Sequence, residues 1–192
     1  MTEAPPGTDT QDRRAQILAA AAELFALRGF RGVSIGDLGA SVGLTGPALY
    51  RHFRGKDAVL TEMLLGISTR LHEEGTRRAA AAADPDGALD ALITWHASFA
   101  LGSPALITVY ERELDHVPEP RRREIRRIQR SYVEEWVRVV RAVRPALAED
   151  AARATVHAVF GLLNSTPHSA TALSRPEMAS LLHRLASAAL RA

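Results

Sequence analysis

The sequence predicts an all-α protein: an N-terminal three-helix head built around a helix-turn-helix, and a C-terminal helical bundle. Three observations predict it. Alanine and leucine dominate the 192 residues and β-branched residues rarely cluster, which favours helix. Apolar residues recur at spacings of three and four, and no segment alternates as a strand would. Glycine and proline fall where such helices should end or begin.

The elements follow in order. Residues 1–12, with Pro5, Pro6 and Gly7, read as a disordered tail. Residues 13–28 carry Ile17, Leu18, Ala21, Leu24, Phe25 and Leu27 at helical spacing, with Asp12 as a cap and Gly29 as the end. Ser34 caps a second helix, with Asp37 in the acidic position of a capping box. Ile35, Leu38 and Val42 form its buried stripe, and Gly43 ends it where the backbone needs positive φ. Thr45 caps a third helix, and Pro47 sits in its first turn, where proline is tolerated. Leu49 and Phe53 face its core. The predicted head spans residues 13–56, and residues 57–192 form the second unit. A fourth helix runs over 56–82, and the turn signal Asp84-Pro85-Asp86-Gly87 breaks it from the next. Further helices are expected over 88–101, 104–116, 119–143, 149–163 and 176–190, with a polar loop over 164–175.

Composition bounds the function. Cysteine is absent, which excludes disulfides and thiolate metal sites. The histidines (His52, His72, His96, His116, His157, His168, His183) show no metal or catalytic spacing. No phosphate-cradling glycine loop and no nucleophile elbow is present. No cofactor, metal or catalytic residue is expected, so an enzyme is the weakest reading. No apolar run suits a membrane span and no signal peptide is evident, as for a cytoplasmic protein. Net charge is only +2, whereas a non-specific architectural DNA binder, the other rival, should be far more basic. Between Arg13 and Lys56, however, seven basic residues stand against two acidic ones, a modest footprint for phosphate.

The string from Ser34 to Phe53 sharpens this. A helix-turn-helix crosses two helices closely, which needs a small residue in the first, here Gly39 or Ala40, and a glycine at the turn, here Gly43. The outer face of the second must stay polar or small to enter a major groove, and Thr45, Gly46, Pro47, Ala48, Tyr50 and Arg51 fit. At Phe25, Gly29-Phe30, Ser34-Ile35, Asp37-Leu38, Gly43-Leu44, Leu49-Tyr50-Arg51-His52-Phe53 and Lys56-Asp57 the chain resembles the TetR family of bacterial regulators, over about residues 13–64. The resemblance implies a homodimer that binds an inverted-repeat operator in double-stranded DNA and is released, as a repressor, by a small-molecule effector. It implies phosphate contacts for Ser34, Tyr50, His52 and Lys56, and base-edge positions for Thr45, Gly46, Pro47 and Ala48. Gly39 departs from the family's usual alanine. Gly46, Pro47 and Ala48 carry few hydrogen-bonding groups, so Thr45, Tyr50, Arg51 and DNA shape should supply much of the specificity.

In the second unit, polar and aromatic residues interrupt apolar stretches. Trp95, Phe99, Tyr110, Glu111, Trp136, His157 and Asn164 are the expected effector-site residues, with His96 among them and Glu111 and His157 as a buried pair. The arginine run over 121–130 is either a solvated face or an attraction for an anionic ligand such as a coenzyme A thioester. The stripes Val156, Val159, Phe160, Leu163 and Leu181, Leu182, Leu185, Leu190 are the expected dimer seam, with Ala158 and Gly161 permitting close approach.

Overall fold

The computed structural model describes residues 6–169 and 173–192. Helices α1 (Pro6–Arg28), α2 (Ile35–Ser41) and α3 (Gly46–Leu49) make the head. Helix α4 (Lys56–Ala80) leaves it and packs between α5 (Pro85–Gly102) and α7 (Arg121–Val143). Helix α8 (Glu149–Leu163) lies on α7, and α9 (Arg175–Arg191) lies on α5 and α8. Helix α6 (Pro104–Arg112) leaves this body to pack on α1, followed by a 3-10 turn over Leu114–His116. No strand occurs among the described residues. No single described helix is long and apolar enough to cross a membrane.

The core runs without a break through the molecule. In the head Ile17, Phe25, Leu38, Leu49 and Phe53 are buried, and Leu60, Leu64 and Leu71 of α4 carry the packing into Leu92, Ile93 and Trp136 of the body. Each such side chain stabilises the fold by roughly 1.5–3 kcal/mol. Helix α4 belongs to both halves, so the head has no boundary at which packing stops.

Several expectations are corrected. Residues 6–12, expected in the tail, are the start of α1. Pro6 sits in the first turn, where a missing N–H is harmless, and Asp12 is therefore interior rather than a cap. Residues 1–5 of that expected tail lie outside the described residues. Leu27 is 80% exposed instead of packed. The expected break between α4 and α5 is present over residues 81–84, but Pro85–Gly87 already form α5's first turn: the Asp84 side chain accepts the Gly87 N–H at 2.7 Å and Pro85 opens the helix. The 164–175 loop contains a 3-10 turn over Thr166–His168, and a Ser174–Glu177 capping box starts α9. Val156, Val159, Leu163, Leu182 and Leu190 face the monomer core and not outwards. Helices α8 and α9 must cover α5 and α7, and their most apolar faces are used for that.

Candidate DNA-binding head and effector sites

Local hydrogen bonds set the reader's shape. The Ser34 hydroxyl donates to the Asp37 carboxylate at 2.5 Å and accepts the Asp37 N–H at 3.1 Å, while Asp37 accepts the Ser34 N–H at 2.8 Å. The Ser34 hydroxyl and then its backbone N–H hold the Asp37 carboxyl below the usual carboxylate range. At the other end of α2 the Leu44 N–H donates to the Gly39 carbonyl at 2.8 Å. Gly43 takes φ +69°, which L side chains rarely adopt. A Cβ on Gly39 would lie 2.7 Å from the Leu44 carbonyl oxygen, so the turn closes directly onto α2 at that point. The Thr45 hydroxyl then accepts the Ala48 N–H at 3.4 Å and opens α3.

This geometry sorts the predicted contacts. Leu49 and Phe53 are buried, so the opposite face of α3 points outwards. Thr45, Pro47, Tyr50 and Arg51 are exposed, and Gly46, Ala48 and His52 are half-buried. Tyr50 is 54% exposed, an unusual position for a large ring. Nδ1 of His52 is buried without a hydrogen-bond partner. Ser34 is exposed beside this face, its hydroxyl already used in the capping box.

Lys56 is more than a free cation. Its ammonium donates to the Phe30 and Val33 carbonyls, each at 3.0 Å, and sits 4.5 Å over the Phe30 ring. It ties the turn between α1 and α2 to the start of α4, with one N–H remaining. Sequence reasoning missed Arg14. Its guanidinium stacks 4.3 Å over Phe53 and bonds the His52 carbonyl and the Glu62 carboxylate, joining α1, the end of α3 and α4. No spacing rule links positions so far apart in the chain; only its basic charge was visible.

The effector candidates do not form one cavity. Trp95, Phe99, Trp136 and Asn164 are core residues. The Trp95 indole N–H donates to the Leu71 carbonyl at 3.3 Å. Trp136 stands edge-on to His96, Tyr132 and Phe160. His96 lies 2.9 Å from Asn164 Oδ1 through Nε2 and 3.3 Å from the Tyr132 hydroxyl through Nδ1. Oδ1 can only accept, so Nε2 carries the proton and Nδ1 accepts from Tyr132. Burial pushes the His96 pKa down to about 4, opposed by the Asn164 bond, and raises that of Tyr132. This aromatic set with one polar pair fills the middle of the body.

Glu111 and His157 are both exposed and form no buried pair. Ile107 and Val109 take the inward positions of α6, and Val156 and Val159 those of α8, which turns Glu111 and His157 out. Tyr110 is half-buried beside Ser68 and Gln129, and burial raises its hydroxyl pKa to about 12. Tyr110, His157 and Phe160 instead share an open groove of about 470 Å³ with Arg126, Arg130 and Arg153. Phe160 is the common wall of groove and aromatic core. Arg126 is paired with Asp115 at 3.1 Å and Arg153 with Glu134, while Arg130 makes no ion pair among the described residues.

Besides the packing of α6 on α1, the turn after α6 also touches the head. The His116 ring stacks 5.1 Å from Phe30, and its Nδ1 lies 2.9 Å from Oε2 of the buried Glu113. Phe30 thus lies between His116 of the body and Lys56 of α4. Among the described residues no His, Asp or Glu cluster could hold a metal ion.

Comparison with known proteins agrees with this geometry. Residues 17–63 match the model of bacterial regulatory proteins of the tetR family, and residues 82–168 match a tetracyclin repressor-like C-terminal domain. The HTH-type transcriptional repressor KstR2 of Rhodococcus jostii is 30% identical over 142 residues, covering 72% of this chain and 70% of that protein. A TetR-family regulator of Bordetella parapertussis superposes with a TM-score of 0.83 at 24% identity, over 92% of this chain and 94% of that one. The regulator AibR, solved with isovaleryl coenzyme A and operator DNA, superposes at 0.75 with 18% identity, over 90% and 97% of the two chains. With its outward Thr45–Arg51 surface and its α-helical body, the chain belongs to the tetR family of bacterial regulatory proteins and is a DNA-binding transcriptional regulator.

Proposed function

We propose that the protein is a homodimeric, cytoplasmic repressor that binds an inverted-repeat operator and leaves it when an anionic acyl-type effector occupies the groove between α6, α7 and α8. The observation that carries the operator reading is the exposed Thr45–Arg51 face on a head tied down at Lys56 and Arg14. Thr45, Gly46, Pro47, Ala48 and Arg51 meet the base edges, and Ser34, Tyr50 and His52 meet phosphates. Lys56 has one ammonium N–H left for a phosphate once its two carbonyls are served. One reader binds a half-site weakly, and pairing two makes the second contact intramolecular, so the affinities multiply instead of adding. The outward residues Ala158 and Gly161 of α8, with Leu181 and Leu185 of α9, make the dimer face; Leu185 is 47% exposed.

The arginines around Tyr110 and His157 suit a phosphate-bearing thioester, the class of ligand with which AibR was solved. Phe160 leads from the groove to the His96–Asn164 pair, which offers an acyl carbonyl a polar partner. Occupancy shifts α6 and the Leu114–His116 turn. His116 passes the change through Phe30 to Lys56, and the two readers no longer match successive grooves.

The test uses the full-length chain and an inverted repeat from upstream of its own gene. Specific, salt-dependent binding as a dimer, weakened by isovaleryl coenzyme A and not by free coenzyme A, is expected. A chain that binds all duplexes equally, or remains monomeric on DNA, overturns the reading.

A further inference from the structure

A second cleft, distinct from the arginine groove, lies where the head meets the body. Its volume is about 470 Å³. One wall is the α1 face of Ala15, Leu18, Ala19 and Ala22, and the other is the α4 face of Met63, Gly66, Ile67 and Arg70. Both sets follow the spacing of a single helix face. Phe99 and the first turn of α6, from Pro104 to Leu106, close the end. Helices α1 and α4 are neighbours, and the small residues Ala15, Ala19, Ala22 and Gly66 leave space between these two faces.

Gly66 is the informative residue. It lies inside α4, where glycine is disfavoured. Its φ is not in the left-handed region, and a Cβ there would meet nothing within 4 Å. No neighbour among the described residues requires a glycine, so its effect is to leave the cleft open. Arg70 supplies charge: it is exposed, makes no ion pair among the described residues, and stacks on Phe99 at 5.7 Å and Trp95 at 5.5 Å. Two carboxylates also line the cleft. Glu62 is neutralised by Arg14, and Glu23 is exposed with no ring or cation holding it in place. The fixed, unpaired charge is therefore positive, beside apolar walls.

We infer that this cleft binds an amphipathic carboxylate, its apolar chain between Leu18 and Ile67 and its carboxylate on Arg70. Clefts at the junction of two structural units are common ligand sites. An occupant here wedges α1 away from α4 and α6 and alters the pose of the head. The binding stands independently of the operator reading; only its effect on DNA rests on it.

Decanoate is the probe, with decanol and decyltrimethylammonium as controls, on the full-length chain carrying 13C-methyl methionine. Met63 lines the cleft and Met178 is buried on α9. Decanoate should shift the Met63 methyl resonance and leave Met178 in place. It should bind about tenfold more tightly than decanol, from one charge-assisted contact. Arg70→Gln should erase that margin. Gly66→Leu, or Ala19→Leu from the opposite wall, should abolish binding without lowering the thermal midpoint. Saturating decanoate should change operator affinity in the wild type and not in Gly66→Leu. A shift at Met178 alone, tighter binding of the ammonium, or unchanged binding in both filled-cleft variants overturns the site. A Met63 shift in a protein that binds no operator would sink the proposed function and leave the site standing.

Discussion

The head and the body are stabilised in opposite ways. The head shares the common core and carries its polar ties at its edges: Arg14 across three helices, Lys56 on two carbonyls, and the Ser34–Asp37 box. Its apolar residues turn inward, which leaves the small and polar face of α3 for a partner. The body keeps its polar chemistry at the centre, with His96, Asn164 and Tyr132 set among Trp136 and Phe160. A surface that reads a partner must be exposed, and the head achieves this with short-range bonds. The body's polar groups are instead buried and bonded to one another. Titration should therefore affect the body's stability, and surface substitution should affect the head's binding.

The largest expected effect concerns His96. Its folded pKa, about 4, lies below the ordinary value of 6.5. The unfolded chain binds a proton more readily between those values, so stability is full above pH 6.5 and falls as the pH drops towards 4. The full loss, on the order of 3 kcal/mol, is reached only below the folded pKa of about 4. Urea unfolding of the wild type at pH 7 and pH 4.5 should show most of it. His96→Gln should flatten that dependence. An unchanged slope in the variant would mean that His96 is not the neutral, desolvated group of the body's core.

Tyr50→Ala comes next and breaks the comparison from the other side. A 54%-exposed ring contributes little to folding, so the thermal midpoint should stay within a degree or so. Losing one contact in each half of a dimer, about 1.5 kcal/mol apiece, weakens operator binding about a hundredfold. Fluorescence anisotropy on the operator duplex measures it. A large stability loss with little change in binding would show that Tyr50 packs instead of reads. Lys56→Met lies between the two regions. It removes two charge-assisted bonds and should destabilise the head by about 2 kcal/mol. If Lys56 also meets a phosphate, the dependence of log K on log salt falls by about 1 per subunit. If that slope is unchanged, its role is confined to the carbonyls.

Far more of the head than of the body was legible in the sequence, and the cause is range. Ser34 with Asp37, Gly43, and Thr45 with Pro47 act within four residues of themselves, so residue type and spacing identify them. The Lys56 clamp spans 26 residues to Phe30 and the His96–Asn164 bond spans 68. Neither leaves a local pattern. In the body the aromatic and polar residues stood out by type, but their sorting into core and surface was not legible. Helical spacing shows that α8 has an apolar face but not whether a partner subunit or α7 covers it, and Val156 and Val159 are buried within the monomer, where α8 packs on α7, α9 and α5. His157, one residue on, therefore points to solvent, and the expected pair with Glu111 has no place to form.

The smallest effect expected is at Gly39, where two terms of similar size oppose. Alanine gains about 1 kcal/mol of helix propensity over glycine inside α2. Its Cβ, however, would stand 2.7 Å from the Leu44 carbonyl oxygen, a backbone atom that cannot rotate away. Relief requires the turn to open by about half an ångström, which lengthens the 2.8 Å bond from the Leu44 N–H to the Gly39 carbonyl. Overpacking of this kind costs roughly 1–3 kcal/mol. The overlap should win narrowly, for a net loss of about 1 kcal/mol or less in urea unfolding. The displacement matters more than the energy, because Leu44 leads directly into Thr45 and moves the start of α3. Gly39→Ala should therefore reduce operator affinity several-fold while leaving overall stability nearly unchanged. A variant that gained stability and kept full affinity would show that the turn yields freely, and that the close crossing of α2 and α3 does not set the reader's angle.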